Sequence, residues 1–80
     1  MKLDILLFGI TTDLVGTSNI EIEVPTNSSV GHFKNEMLTK FPQLSNIGTY
    51  AIAVNESYAS DDILLQENDV VAVIPPVSGG

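Results

Sequence analysis

The stretch of the chain that decides the fold is residues 29–42, SVGHFKNEMLTKFP. Its apolar residues recur at helical spacing and predict one apolar stripe on one long helix; they are Val30, Phe33, Met37, Leu38 and Phe41. Ser29 is the predicted N-cap, because its hydroxyl can accept a hydrogen bond from the first helical turn. Pro42 is predicted to end the helix, since the residue before a proline is disfavoured in helical geometry.

Strands are predicted on both sides of this helix. Residues 2–8 and 19–24 alternate between the two sides of a strand, and their short connection predicts an antiparallel hairpin. Residues 50–54 and 70–74 are apolar strands after the helix. Because the helix supplies the long crossover that parallel strands need, the first and last strands are expected to pair in parallel.

This order predicts an α+β protein with the β-grasp (ubiquitin-like) plan, in which one main helix packs on one face of an open mixed sheet. Residues 1–74 form the predicted β-grasp domain, and residues 75–80 form a C-terminal tail. A helical turn with a hydroxyl cap is expected at residues 11–16, ending at Gly16. Residues 61–65 predict either a turn of helix or an irregular crossing, and residues 67–69 a tight acidic turn.

Length and charge restrict the functions that the chain can have. Its 80 residues make one domain, and without cysteine it has no disulfide and no Cys-based metal site. A net charge of −7 argues against nucleic acid and anionic membranes and favours a basic protein partner. With no secretion signal and no membrane span in the sequence, the expected location is cytoplasmic.

The strand pattern predicts that the second face of the sheet, away from the helix, exposes apolar side chains. Leu6 and Phe8 project away from the side that Leu3, Ile5 and Leu7 share, and the last strand is apolar on both sides. Since only one long helix is available as a cover, part of the following set should form an exposed patch: Leu6, Phe8, Tyr58, Val70, Ala72 and Ile74. The pattern alone leaves open that loops cover it.

A self-sufficient catalyst is not expected. The chain has no cysteine nucleophile, no arginine and no phosphate-binding glycine loop. His32 is the only histidine and is interpreted as a solvated helix residue, so no metal site is predicted. Ser78 has no base near it in the sequence.

The sequence ends in PPVSGG, residues 75–80. Pro75 and Pro76 stiffen the approach to the end, and Gly79 and Gly80 give it a slim tip that accepts unusual backbone angles. From these residues alone, an arm that inserts into another protein and an ordinary frayed end both remain open.

The whole chain resembles the small subunit of molybdopterin synthase, a ubiquitin-like sulfur carrier. The resemblance rests on residues 7–9, 13–16, 24–30, 53–55 and 67–70, and most specifically on residues 74–80, IPPVSGG. The chain departs from the family where Thr12-Asp13 replaces a frequent arginine in the first short helix. It also departs at Asn68, where the family often has glycine, but asparagine tolerates a left-handed backbone.

The resemblance implies a chemistry for the tail. An adenylyltransferase similar to ubiquitin-activating enzymes would use ATP to adenylate the Gly80 carboxylate, and sulfur would replace AMP to give a thiocarboxylate. The tail would then enter the large subunit of molybdopterin synthase, in a heterotetramer, and supply sulfur for the dithiolene that binds molybdenum. The chain itself would bind no cofactor.

The same resemblance implies which residues contact the large subunit. Phe8, Tyr58 and Ile74 match family positions that pack against it, and the inserted tail follows with Pro75, Pro76, Val77 and Ser78. Gly79 and Gly80 are the reactive tip.

Three alternatives remain at this stage. A thiamine-pathway sulfur carrier would share the fold and the diglycine, although its tail typically lacks the Pro-Pro-Val spacer. A ubiquitin-like modifier would join Gly80 to lysines. A plain β-grasp interaction domain would carry an inert tail.

Overall fold

The computed structural model describes residues 1–47 and 50–75, without the side chains of residues 46 and 47. The first hairpin joins strand β1 (Lys2–Leu7) to strand β2 (Asn19–Glu23), and helix α1 (Ile10–Val15) lies in the connection between them. The two strands are antiparallel, with Leu3 opposite Ile22. The predicted hairpin is therefore confirmed.

The main helix, α2, runs over Val30–Lys40, as the 29–42 stretch predicts. Ser29 caps it, because its side chain accepts a hydrogen bond of 3.1 Å from the His32 N–H. A 3-10 helix, Pro42–Ile47, follows directly.

The prediction that Leu38 belongs to the apolar stripe is wrong. Val30, Phe33 and Met37 are buried, whereas Leu38 leaves 43% of its surface exposed. Successive helix residues project about 100° apart. A position directly after the buried Met37 therefore turns away from the narrow strip that touches the sheet.

Three further strands complete a five-stranded sheet: β3 (Ala51–Val54), β4 (Ser57–Tyr58) and β5 (Val70–Ile74). The order across the sheet is β2-β1-β5-β3-β4. Strands β1 and β5 are parallel with Ile5 opposite Val71, while β3 is antiparallel to both of its neighbours. This is the predicted mixed sheet with one main helix on one face, so the β-grasp fold is confirmed.

The core lies between helix α2 and one face of the sheet. Its fully buried side chains come from alternate positions of β1 and β5 and from one side of α2, which is the arrangement that strand alternation requires. They include Leu3, Ile5, Val30, Phe33, Met37, Val71 and Val73. None of the helices in the described ranges has both the length and the apolar character needed to span a membrane.

The segment before β5 is the irregular crossing, one of the two predicted alternatives. The carbonyl of Ile63 accepts from the Val30 N–H at 2.9 Å, and the carbonyl of Asp61 accepts from the Gly31 N–H at 2.9 Å. The segment therefore binds N–H groups that the first turn of α2 cannot satisfy within the helix.

Candidate docking face and tail base

One face of the sheet has no helix packed on it within residues 1–47 and 50–75. Leu6 pairs with Ala72, Ala72 with Ala53, and Ala53 with Tyr58. Directly paired residues project to the same side, so these four form one row across the sheet. We call this side the open face; besides that row it carries Val70 and Ile74 at alternate positions of β5.

The open face displays apolar side chains to solvent. Tyr58 is 75% exposed, and Phe8, directly after β1, is 48% exposed. Leu6, Val70, Ala72 and Ile74 are half-buried, and a shallow depression between β1 and the β3–β4 turn is lined by Leu6, Asn55, Glu56 and Val70. Within the described residues, no loop covers Phe8 or Tyr58 to the extent that would bury it.

The base of the tail lies beside the end of β1, because parallel strands end at the same edge of a sheet. Gly9 has φ 55° and ψ −134°, a combination that residues with a Cβ rarely adopt. A Cβ placed on Gly9 would lie 3.2 Å from Pro75 Cγ, so the Gly9 backbone and the Pro75 ring are in close contact. The remaining predicted tail residues, Pro76, Val77, Ser78, Gly79 and Gly80, lie outside the described residues.

The loop that carries Gly9 is fixed by threonine hydroxyls. Thr11 is buried, and its Oγ1 accepts from the Phe8 N–H at 3.0 Å and donates to the Phe8 carbonyl at 2.5 Å. Thr12 Oγ1 donates to the Leu7 carbonyl at 2.9 Å. The predicted hydroxyl cap of α1 is therefore wrong: the N-cap is Gly9, which makes no side-chain bond, and the hydroxyls bond back into the loop instead.

A second polar network fixes the opposite end of the open face. Asn55 Oδ1 accepts from the Val70 N–H at 3.0 Å, and Asn55 Nδ2 donates to Asp69 Oδ1 at 3.0 Å. Asp69 Oδ2 in turn accepts from the Gln66 N–H at 2.8 Å. The β3–β4 turn is thereby attached to the start of β5. Sequence reasoning missed this pair, although a turn asparagine and an acid before a strand are the types that make such bonds.

The part of the open face formed by β1 and β2 is acidic. Glu21 lies directly opposite Asp4, and Glu23 directly opposite Lys2. The Asp4–Glu21 pair places like charges across from one another, which is unfavourable in an isolated sheet. The open face therefore joins an apolar half on β5, β3 and β4 to an acidic half on β2 and β1.

A further group of charged side chains lies on the helix side of the molecule. Lys34 Nζ is 2.9 Å from Asp61 Oδ1 and 6.0 Å from the centre of the Tyr50 ring. Burial, and secondarily the charge of Asp61, raises the pKa of Tyr50. His32 lies 3.5 Å from Glu36 on an exposed turn of α2. Across the part of the chain that the structure covers, no three acidic or histidine side chains are grouped as metal ligands.

The geometry is suited to docking. An apolar surface lies beside an acidic surface, and Pro75, the first residue of the tail, lies at the end of β1. Among the predicted contact residues, the structure places Phe8, Ile74 and Pro75 at one end of the sheet and Tyr58 on its β4 edge.

Comparison with known proteins identifies relatives along the whole chain. Residues 5–80 match the ThiS family. The molybdopterin synthase sulfur carrier subunit of Arabidopsis thaliana is 32% identical over 81 residues, covering 100% of this chain and 84% of that protein.

Two solved structures show the same fold. SAMP1 from Haloferax volcanii superposes with a TM-score of 0.87 at 21% identity, over 100% of both chains. A chain from the complex of subunits 1 and 2 of the Helicobacter pylori molybdopterin-converting factor superposes with a TM-score of 0.69 at 24% identity, also over 100% of both chains.

Proposed function

The chain belongs to the ThiS family, and we propose that it is the sulfur-carrier subunit of a molybdopterin synthase. The observation that carries the proposal is the position of Pro75, which starts a diglycine tail at the edge of an exposed apolar sheet face. The likeness to the Arabidopsis molybdopterin synthase sulfur carrier subunit supports the molybdenum pathway. The fold is shared by carriers and by SAMP1, so the fold alone does not select between them.

The proposed chemistry takes place at the carboxylate of Gly80. One carboxylate oxygen attacks the α-phosphorus of ATP on an adenylyltransferase, and pyrophosphate leaves. Hydrosulfide, supplied by a sulfur donor, then adds to the acyl carbon and AMP leaves, which gives the Gly80 thiocarboxylate. The thiocarboxylate sulfur bonds to a carbon of the pterin precursor and displaces an oxygen substituent from it, which gives a thioester between Gly80 and the precursor. Water then attacks the acyl carbon and the thiolate leaves, so the sulfur stays on the precursor and the Gly80 carboxylate returns. A dithiolene holds two sulfur atoms and therefore consumes two loaded carriers.

The open face supports a large-subunit partner. Aromatic side chains in solvent are frequent anchors of protein interfaces, and Phe8 and Tyr58 supply two. The Helicobacter complex shows that a protein of this fold has been solved with a second subunit. We propose that the catalytic groups lie on that subunit, that this chain holds no cofactor, and that ATP is used only by the activating enzyme. The proposed location is the cytoplasm.

The test is the intact mass of the chain after incubation with the activating enzyme, ATP and sulfide. The full chain should gain the mass difference between sulfur and oxygen, and the loaded chain should support dithiolene formation by the large subunit. A chain without Gly80 is the matched control. It should unfold at the same midpoint as the full chain, but it should neither gain the mass nor support dithiolene formation.

Other outcomes decide against the proposal. A loaded chain that supports thiazole synthesis but no dithiolene would make it a thiamine-pathway carrier. Gly80 found only in isopeptide bonds to lysine would make it a protein modifier. Equal molybdenum-enzyme activity with and without Gly80 would leave a plain interaction domain.

A further inference from the structure

We propose that the buried hydroxyl of Thr11 is a positioning group for the tail, acting through Phe8 and Gly9 on Pro75. The inference rests on the proposed function in one respect, the use of the tail in sulfur transfer. The geometry itself is a chain of contacts that begins inside the domain and ends on the first residue of the tail.

The first step is the bonding of Thr11. A single hydroxyl binds both backbone groups of Phe8, accepting from its N–H at 3.0 Å and donating to its carbonyl at 2.5 Å. The Thr11 side chain is completely buried, so water cannot replace these bonds without opening the loop. The Phe8 N–H has no other bond partner among the described residues. The Phe8 carbonyl also accepts from the Thr11 N–H at 3.1 Å, and the Leu7 carbonyl accepts from Thr12 Oγ1 at 2.9 Å. The Thr11 hydroxyl therefore adds the bond to the Phe8 N–H and a second bond to the Phe8 carbonyl, and together these bonds fix the orientation of the Phe8 peptide groups.

The second step is the transmission to Gly9. The backbone of Gly9 continues from the held Phe8 carbonyl, and its own carbonyl accepts from the Thr12 N–H at 3.1 Å. With Phe8 bonded before it and its own carbonyl bonded to Thr12, Gly9 is held at φ 55°, although glycine is the residue with the most conformations to lose. A fixed Gly9 presents a flat backbone surface without a side chain.

The third step is the contact with Pro75. The ring packs tightly on Gly9, since a Cβ there would stand 3.2 Å from Pro75 Cγ and would require the ring to shift. Proline has a fixed φ, so the position of its ring restricts the direction in which the following chain leaves. The Thr11 hydroxyl thus restricts the exit direction of the tail relative to the open face.

A large subunit that binds both the open face and the tail should bind a carrier more weakly when this exit direction is free. Losing the restraint adds an ordering cost to association. Once the complex has formed, the partner imposes the bound geometry, and the transfer step itself should change little. The expected signature is a higher KM for the carrier with an unchanged kcat.

The experiment compares thiocarboxylated carriers made by thiolysis of a C-terminal thioester, which bypasses the activating enzyme. Thr11→Val keeps the shape but not the hydroxyl, and should raise KM roughly five- to thirtyfold, the factor for fixing about one more residue on binding. Thr11→Ser keeps the hydroxyl and should restore the wild-type KM. Ser28→Ala is the matched control: it removes a buried hydroxyl bond to the Pro25 carbonyl at the opposite end of the sheet and should leave KM unchanged.

A second readout does not depend on sulfur transfer. In wild type, NMR should show contact between the Gly9 α-protons and the Pro75 ring and slow exchange of the Phe8 amide; Thr11→Val should lose both. Gly9→Ala, which crowds the Pro75 ring while leaving Thr11 in place, should weaken the contact and raise KM as well.

The outcomes separate this inference from the proposed function. A wild-type KM in Thr11→Val, or a KM raised equally by Ser28→Ala, would overturn the positioning role. A wild-type carrier that transfers no sulfur would overturn the proposed function, and the NMR contact would still decide whether Thr11 fixes Pro75.

Discussion

Among the large apolar residues that the structure describes, Tyr58 is the most exposed, with 75% of its area in water. It lies in the two-residue strand β4, and its neighbour across the sheet is Ala53, which offers it little contact area. An aromatic ring that contributes so little to the core is available to a partner. Tyrosine is also a frequent interface anchor, because it buries a large area at a low entropic cost.

Tyr58→Ala should therefore weaken binding of the large subunit about tenfold or more, with a change in the free energy of unfolding within about 0.5 kcal/mol. Calorimetric titration gives the affinity, and urea unfolding gives the stability. Leu64→Ala is the control, because Leu64 is 58% exposed but lies against the Ser29 end of helix α2, away from the open face. Equal losses of affinity in both variants would contradict the assignment of the docking face.

Single residues also show where sequence reasoning was sufficient. Asn68 was expected to accept a left-handed backbone, and it has φ 69°. Thr11 was not predicted correctly, because the same residue pattern permits a helix cap or a bond back into the loop. The bond back into the loop forms here because Gly9, at φ 55°, takes the N-cap position and the Phe8 backbone lies within reach of the Thr11 hydroxyl.

At the scale of elements, the helix of residues 29–42 and its place between two pairs of strands were enough to predict the fold. One long helix between two pairs of strands leaves few ways to bury its stripe, and the parallel pairing of β1 with β5 follows from the crossover that it forms. The 3-10 helix at Pro42–Ile47 was not predicted, since a short segment without periodicity has no pattern to read. Strand alternation predicted correctly which side chains of β1 and β5 face the helix. Successive side chains of a strand point to opposite faces, so assigning one of them assigns all the others.

Helix α2, the irregular crossing and the start of β3 meet around Tyr50. Burial raises the pKa of Tyr50 above its ordinary value, and the nearby Asp61 carboxylate acts in the same direction. The neutral ring is thus favoured in the folded state. Its contribution to stability is complete below about pH 10, the unfolded value, and is lost as the pH rises through the higher folded-state pKa.

Tyr50→Phe should remove this part of the alkaline loss of stability. Urea midpoints measured from about pH 9 to about pH 11.5 should fall less steeply above about pH 10 in the variant than in wild type. If Tyr50→Phe kept the wild-type slope, the Tyr50 hydroxyl would not be the group responsible.

At the scale of the whole molecule, charge and apolar surface are arranged side by side. The net charge is −7, and Asp4, Glu21 and Glu23 lie on the same face of the sheet as the apolar row. The unfavourable Asp4–Glu21 neighbourhood would be relieved by a basic side chain from a partner. We therefore expect the acidic half to steer association, while the apolar half and the tail hold the complex.

Association with the large subunit should accordingly slow as salt is raised, because the screening length falls from about 10 Å at 0.1 M to about 3 Å at 1 M. The double variant Glu21→Gln/Glu23→Gln should lower the association rate constant by about threefold or more at low salt and leave the dissociation rate constant within about twofold. Stopped-flow mixing with the large subunit measures both constants. The matched control, Glu36→Gln/Asp62→Asn, removes the same charge from the helix side of the molecule.

These two double variants show whether the acidic half of the open face or the net charge of the whole molecule speeds association. If the control pair slowed association as much as the open-face pair, net charge rather than the acidic half would steer the encounter. If neither pair changed the rate at low salt, the partner surface facing β1 and β2 would not be basic. A slower association confined to Glu21→Gln/Glu23→Gln, and abolished at high salt, is the result that the arrangement of the open face predicts.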